Sequence, residues 1–169
     1  LSLVISVLKG DKVDDVVRDA VMMGVAGIQP VVSERSEISL STLAKSNRVS
    51  RWQRIAVASA KQCGRAVVPL VHEVATLAAY SKTSAGSITR IMCIEPTAAA
   101  GDVISVQAIP RSAAADLMVG PEGGWTGAEV AAARDSGAIL MSLGGRTLRA
   151  DAVPLVALTA LLTTWSELK

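Results

Sequence analysis

The sequence predicts an α/β fold: a mainly parallel sheet flanked by helices. Two short apolar runs, 117–119 and 139–141, each lead into a glycine-rich turn. The stretch between them has the end signals of a helix, because Thr126 and Glu129 form a T-x-x-E capping box and Gly137 suits the left-handed position after the last turn. Strand, glycine turn, helix and strand in this order are typical of a parallel sheet whose ligand loops follow the carboxyl ends of its strands.

Size and composition are those of one globular domain. The chain has 169 residues, half of them apolar, and no linker divides it, so residues 1–169 are predicted to form one domain with a substantial core. The net charge of +2 predicts no global attraction to nucleic acid. Cys63 and Cys93 have neither metal nor redox spacing, which favours a reduced, cytoplasmic setting. No apolar run reaches the roughly 18 residues of a membrane span, so no membrane partner is expected.

Residues 1–32 predict a strand–helix–strand unit. Strands at 3–8 and 26–32 flank a helix that begins at Asp11, whose side chain is expected to cap it, and that ends at Gly24. One face of this helix is apolar, and Asp14 is assigned to the opposite, charged face. We expect a right-handed crossover between the two strands.

The next stretch, 33–65, carries seven Lys and Arg residues against two Glu. Residues 33–47 are polar and aperiodic, which predicts an exposed loop. A helix is predicted over 48–63, with Trp52 and Cys63 on its core face. Its basic side is open to two interpretations, a solvated helix surface or a face that contacts RNA phosphates; the residues concerned are Arg51, Arg54, Lys61 and Arg65.

The middle of the chain gives weaker signals. The only histidine, His72, has no partner motif and is predicted to be structural. Residues 103–109 could form a strand. The remaining segments are interpreted as strands at 67–71 and 90–94, a short helix or turn at 74–80, and loops at 81–87, 98–102 and 110–115.

The chain ends in a helix that is nearly apolar all round. Asp151 is expected to cap it, and Pro154 lies in its first turn, where proline is tolerated. Such a helix is predicted to be buried in the core or in a subunit interface. The residues of its wide apolar face are Leu155, Leu158, Leu161, Leu162 and Trp165.

Several chemistries lack their central requirement. The turn G-P-E-G-G-W-T has no Lys-Ser/Thr of a P-loop, and no G-x-G-x-x-G or G-x-S-x-G is present. One histidine and two distant cysteines make no zinc pattern. The residues alone therefore predict a nucleotide-like pocket lined largely by main chain, with Glu122, Arg146, Arg149 and Asp151 as nearby charges.

The glycine turns carry a family resemblance. G-P-E-G-G-W at 120–125 and S-L-G-G-R-T-L-R-A-D at 142–151 resemble the SPOUT class of RNA methyltransferases, and especially the bacterial family that methylates N3 of a uracil in 16S ribosomal RNA. The segments L-K-G-D at 8–11 and S-E-R-S at 33–36 are also similar to that family. The likeness runs in order over residues 8–165.

The resemblance implies an α/β knot, in which the C-terminal segment forms a deep trefoil. It implies S-adenosylmethionine as the methyl donor, 16S ribosomal RNA of the small subunit as the substrate, and a homodimer. Full-length relatives carry an N-terminal PUA-like barrel, which is expected to be absent from this chain. Two residue sets follow by resemblance. Cofactor binding is expected from Glu95, Pro96, Gly120, Pro121, Glu122, Gly123, Gly124, Leu143, Gly144, Leu148, Arg149 and Ala150, and RNA binding from Arg35, Arg51, Arg54, Arg65 and Arg146.

The expected reaction needs no metal, because a sulfonium methyl group is already electrophilic. Uracil N3 must lose a proton, so a carboxylate base and a cation aimed at the uracil oxygens are expected. Arg149 is the first choice for the cation and Arg146 the second. Asp151 is the first choice for the base and Glu122 the second.

The chain also departs from this family. Relatives usually read L-R-T-E, whereas residues 148–151 read Leu-Arg-Ala-Asp, so a hydroxyl is lost and the carboxylate is shorter. Two alternatives to the uracil methyltransferase stay open. One is another SPOUT RNA methyltransferase, and the other is a non-enzymatic RNA-binding or assembly module with a vestigial pocket.

Overall fold

The computed structural model describes residues 1–83, 88–96 and 102–168. Within them, eight strands form one sheet. The first helices and strands are β1 (Ser2–Ser6), α1 (Lys12–Met22), β2 (Gly27–Val32), α2 (Leu40–Ala44) and α3 (Arg48–Gln62). They are followed by β3 (Leu70–Val71), β4 (Ala75–Thr76), α4 (Leu77–Lys82), β5 (Thr89–Cys93) and β6 (Ile104–Ser105). A 3-10 turn (Val106–Ala108), β7 (Ala115–Val119), α5 (Gly127–Asp135), β8 (Ile139–Ser142) and α6 (Val153–Thr164) complete the order.

Every strand pairing within the described residues is parallel. The sheet order is β3-β2-β1-β7-β5-β8-β6. Both β3 and β4 pair with β2, β3 with residues 27–28 and β4 with residues 31–32. The predicted parallel α/β sheet is therefore confirmed. The chain steps outward from β1 to β2 and β3 and then returns to build β5, β7 and β8 on the other side. This order brings the loops after β5, β7 and β8 to one edge of the sheet.

The hydrophobic core is mainly aliphatic and lies on both faces of the sheet. Leu3, Ile5, Ile28, Ile91 and Leu117 are fully buried on the face covered by α1, α3 and α6. A smaller cluster around Met92, Met118 and Trp125 fills the other face. No helix in the described part of the chain has the length and hydropathy to cross a membrane. The trefoil knot implied by the resemblance stays a prediction.

The signals for α5 are confirmed in detail. Thr126 Oγ1 accepts from Glu129 N, and Glu129 Oε2 accepts from Thr126 N at 2.8 Å, so both halves of the capping box are present. Gly137 follows the helix with φ +82°, as predicted for a left-handed position.

The sequence predicts that Asp11 caps α1 and that Asp151 caps α6, and both predictions are wrong. Asp11 occupies the N-cap position of α1 but makes no capping side-chain hydrogen bond. The N-cap residue of α6 is Ala152, and the Asp151 carboxylate is bonded to Arg149 instead. In each case a nearby guanidinium competes for the carboxylate, because Arg51 lies 3.4 Å from Asp11.

Other boundaries and faces also differ from the sequence predictions. Asp14 is buried, because Trp52 Nε1 donates to its Oδ1 at 3.1 Å and Arg51 pairs with its other oxygen. Cys63, assigned to the core face of α3, is exposed. The loop at 33–47 contains α2, which is capped by Ser39.

In the middle of the chain, the predicted elements are shorter than expected or are divided into two. The strand predicted at 67–71 is only Leu70–Val71, and the segment 74–80 divides into β4 and α4. The ambiguous stretch 103–109 divides between β6 and the 3-10 turn. Parts of the predicted loops 81–87 and 98–102 lie outside the described residues.

Candidate functional site

A pocket opens at the carboxyl edge of the sheet, where the loops after β5, β7 and β8 meet. Its cavity volume is about 270 Å³. Ligand sites of open parallel sheets lie at this edge. Of the cofactor residues expected from the sequence, the pocket is lined by Glu95, Pro96, Gly120, Pro121, Glu122, Gly124, Leu143, Leu148, Arg149 and Ala150.

The wall of the pocket is held by a buried tryptophan. Trp125 Nε1 donates to the Cys93 carbonyl at 2.9 Å, which ties the loop after β7 to the end of β5. A side chain at Gly120 would lie 3.1 Å from the Trp125 ring, so glycine permits this close packing.

Burial raises the pKa of the Cys93 thiol to about 12, so the thiol is neutral at physiological pH.

Gly124 is required by its backbone and by its neighbour. Its φ is +67°, and a Cβ placed there would lie 2.8 Å from Glu95 Oε1. The absence of a side chain therefore lets the Glu95 carboxylate approach the glycine loop from the other side of the pocket.

Glu122 is held by two groups from the first turn of α1 and the residues before it. Lys12 Nζ donates to Glu122 Oε1 at 2.7 Å, and the backbone N–H of Lys9 donates to the same oxygen at 3.2 Å. Burial works against ionisation of this carboxyl, but these hydrogen bonds hold the pKa of Glu122 below its ordinary value. Glu122 is therefore an ionised, anchored carboxylate and a weak base.

Arg149 and Asp151 form a two-point ion pair at the mouth of the pocket. Arg149 Nε donates to Asp151 Oδ1 at 3.1 Å, and Nη2 donates to Oδ2 at 2.9 Å. The hydrogen bonds from Arg149 hold the pKa of Asp151 below its ordinary value, and they raise the pKa of Arg149. The guanidinium is 76% exposed and the Asp151 side chain 25% exposed, so a substrate can reach both.

The candidate RNA-binding arginines do not form one cluster. Arg146 lines the pocket, and Arg54 is exposed on α3. Arg51 pairs with Asp11 and Asp14. Arg65 donates to Val21 O in the last turn of α1 and to Val25 O beyond that helix. Arg35 donates to Gly123 O. Only Arg146 and Arg35 therefore touch the pocket or the loop that forms it.

Two of the expected cofactor residues lie outside the pocket wall. Gly123 faces Arg35 on the outer side of its loop. Gly144 has a φ of +102°, and a Cβ placed there would meet no heavy atom within 4 Å.

Sequence reasoning missed Lys12, which reaches the pocket from α1. Its position in the K-G-D-K turn after β1 was the available signal.

The pocket has no protein ligand set for a metal ion in the part of the chain that the structure describes. No group of three or more His, Cys, Asp or Glu side chains suited to a metal occurs among those residues.

A sheet that is parallel throughout the described residues, with glycine loops around a pocket at its carboxyl edge, is typical of α/β domains that bind a small ligand through loops. The family profile of the RNA methyltransferase domain matches residues 1–162, and the chain belongs to this family. The family resemblance carried by the sequence motifs is thereby confirmed.

Individual relatives agree with this assignment. The chain is 32% identical over 161 residues to a ribosomal RNA small subunit methyltransferase E of Synechocystis, covering 94% of this chain and 51% of the relative. It is 28% identical to the enzyme of the same name from Bacillus subtilis, covering 90% of this chain and 61% of that one. The chain thus spans about half to three fifths of these relatives.

A solved structure also superposes on the chain. The methyltransferase E of Neisseria gonorrhoeae, solved bound to S-adenosyl methionine, matches with a TM-score of 0.85 and 33% identity. The match covers 97% of this chain and 65% of that one.

Proposed function

We propose that this domain transfers a methyl group from S-adenosylmethionine to N3 of a uracil in 16S ribosomal RNA, and that it acts in the cytoplasm. The observation that carries the proposal is the pocket formed by the loops after β5, β7 and β8, together with the likeness to a methyltransferase solved with that donor. The relatives' names supply the small-subunit RNA as the substrate class.

The residues of the pocket fit this donor. Leu143, Leu148 and Val153 offer an apolar wall for a purine ring, and Glu95 and Glu122 place two carboxylates beside a ligand with a positive charge. Gly124 leaves open the space that a Cβ would fill next to Glu95. When bound, the donor supplies an electrophilic methyl group on a sulfonium.

The chain's own residues would prepare uracil for attack. The guanidinium of Arg149, with Arg146 nearby, would stabilise negative charge on the uracil oxygens once N3 has lost its proton. Asp151, held beside Arg149, would accept that proton from N3. Lys12 would keep Glu122 ionised at the pocket wall. The pKa of each carboxyl lies below its ordinary value, so both are weak bases. Charge stabilisation by the arginines would therefore contribute more to the rate than proton removal.

A homodimer is part of the proposal. Leu155 and Val156 of α6 are 37% and 41% exposed, and α6 begins at Val153, which lines the pocket. Burying these two side chains against a second copy would shield apolar surface directly beside the site. The sequence had assigned Leu155 to a face that packs in the core or in a subunit interface, and its exposure favours the interface.

Donor binding tests the proposal directly. We expect calorimetric titration to show binding of S-adenosylmethionine and S-adenosylhomocysteine but not of ATP. Gly124→Ala should weaken this binding at least roughly tenfold, because the left-handed backbone at φ +67° strains an alanine and the new Cβ would displace the Glu95 carboxylate from the pocket wall. Gly127→Ala is the matched control, since a Cβ at Gly127 meets nothing within 4 Å. Absence of donor binding by the folded protein would refute the methyltransferase function and favour a non-enzymatic RNA-binding module.

The pH dependence of methyl transfer should show no titration of the two pocket carboxylates near neutrality. Hydrogen bonds lower the pKa of Asp151, and Lys12 and the Lys9 N–H lower that of Glu122, so both groups stay ionised as the pH falls towards the ordinary range of a carboxyl. An ionised Asp151 accepts the N3 proton equally well across this range, so the rate should not change with pH around neutrality. A log-rate profile of single-turnover methylation measures this. A break between about pH 6 and 7 that disappears in Asp151→Asn would instead identify Asp151 as a base with a raised pKa.

A further inference from the structure

The turn at residues 33–36 is fixed to the sheet. Ser33, directly after β2, is buried, and its Oγ accepts from Ser6 Oγ of β1 at 3.1 Å. Ser33 N donates to Ser36 Oγ at 3.1 Å, and Ser36 N donates back to Ser33 O at 3.1 Å. These bonds define the path of the turn, so the residues it carries start from a constrained backbone.

The same turn is tied to the beginning of α5. The backbone N–H of Glu34 donates to Glu129 Oε1 at 2.9 Å, while the other oxygen of Glu129 completes the capping box with Thr126. One carboxylate therefore joins the turn after β2 to the helix that follows the glycine loop of the pocket. The loop between Gly120 and Gly124 lies between these two anchored elements.

Arg35 reaches from this turn to the outer side of the glycine loop. Its Nη1 donates to the Gly123 carbonyl at 2.7 Å. A Cβ placed at Gly123 would lie 3.2 Å from Arg35 Cβ and 3.4 Å from its Cδ, so the arginine stem packs on the glycine backbone. Gly123 has no positive φ, which leaves this close approach as the physical reason for glycine at the position.

The neighbours of Gly123 face the opposite way, into the pocket. Glu122 and Gly124 both line it, and Gly124 N donates to Pro121 O at 2.9 Å, which closes a tight turn. A displacement of the Gly123 carbonyl would therefore move both lining residues. The loop is held from inside by Lys12 through Glu122 and from outside by Arg35 through Gly123.

We propose that Arg35 is a positioning residue of the donor pocket, which sets donor affinity by holding the 120–124 loop at Gly123. The inference rests on the proposed function, because it takes the pocket to be the donor site. It gives Arg35 a role that is exerted without RNA. A residue that only contacts RNA phosphate would affect RNA binding and leave the empty and donor-bound loop unchanged.

The experiment measures the loop and the donor separately, in the absence of RNA. Amide hydrogen exchange of residues 120–125 and calorimetric affinity for S-adenosylhomocysteine are compared in wild type, Arg35→Ala, Gly123→Ala and the double variant. Lys45→Ala is the control for loss of charge, since Lys45 is exposed and forms no ion pair among the described residues. Loss of one charge-assisted hydrogen bond should speed exchange in the loop and weaken donor binding, each by roughly fivefold to tenfold.

The pattern across variants distinguishes positioning from general destabilisation. In Arg35→Ala, exchange in β7 and the melting temperature should match wild type. Gly123→Ala should weaken donor binding by itself, because its Cβ would lie 3.2 Å from Arg35 Cβ and push the loop away from the Arg35 hydrogen bond. The double variant should lose less than the sum of the two single effects, because both substitutions break the same hydrogen bond. Arg35→Lys, which keeps a stem and a donor, should recover part of the affinity.

The outcomes separate this inference from the function on which it rests. If wild type binds the donor and Arg35→Ala binds it equally well, or if the two substitutions are additive, the positioning role is refuted while the proposed function stands. Faster exchange throughout the sheet would also refute it, as a loss of overall stability. If wild type fails to bind the donor, the proposed function fails, and unchanged or faster loop exchange in Arg35→Ala still decides whether Arg35 holds the loop.

Discussion

Arg149→Ala is expected to lower the rate of methyl transfer by roughly 100-fold or more at saturating donor, because removal of one preorganised charge at a developing anion has effects of this size. The guanidinium is exposed at the mouth of the pocket and is oriented by two hydrogen bonds to Asp151. Its loss leaves the uracil anion without its main counter-charge. Single-turnover methylation of a ribosomal RNA substrate, with donor affinity measured in parallel, gives the result.

Two further variants sharpen this prediction. Arg18→Ala removes an exposed arginine that pairs with Asp15 on α1, and it should leave the rate unchanged. Asp151→Asn keeps the size of the side chain but weakens the hold on Arg149, so it should lower the rate less than Arg149→Ala does. A full rate in Arg149→Ala would exclude Arg149 as the catalytic cation and would transfer that role to Arg146.

Arg90→Met is expected to lower the free energy of unfolding by about 3 kcal/mol, because it removes a buried hydrogen-bonded cation. Arg90 is only 7% exposed at the start of β5. Its Nη1 donates to Ser81 O at 3.0 Å and its Nη2 to Thr83 O at 2.8 Å, which satisfies carbonyls at the end of α4. Its guanidinium carbon also lies 4.9 Å from the centroid of the Tyr80 ring.

Thermal and urea unfolding measure this loss. For a chain of this size the melting temperature should fall by roughly 6–12 °C. The control is Arg111→Ala, which breaks an exposed ion pair with Glu167 and should cost less than about 1 kcal/mol. Equal effects of the two substitutions would mean that the Arg90 hydrogen bonds contribute no more to stability than a surface ion pair.

Elements with local signals could be predicted from the amino-acid order without any knowledge of the fold. The capping box of Thr126 and Glu129, the left-handed Gly137 and the apolar runs before the two glycine turns all act within a few residues, so the chain's own preferences specify them. The order of strand, glycine turn and helix was enough to predict a parallel sheet with a ligand pocket at its carboxyl edge. The motifs in those turns were enough to indicate the family.

The partner that each charged side chain takes depends on the three-dimensional fold. Asp14 is buried because Trp52 and Arg51 of a distant helix satisfy it. Lys12 enters the pocket only because the parallel pairing of β1 with β7 places α1 beside the glycine loop. Carboxylates and guanidinium groups bind whichever complementary group the fold brings within hydrogen-bond distance, and that distance is set by long-range strand pairing, which local sequence does not encode.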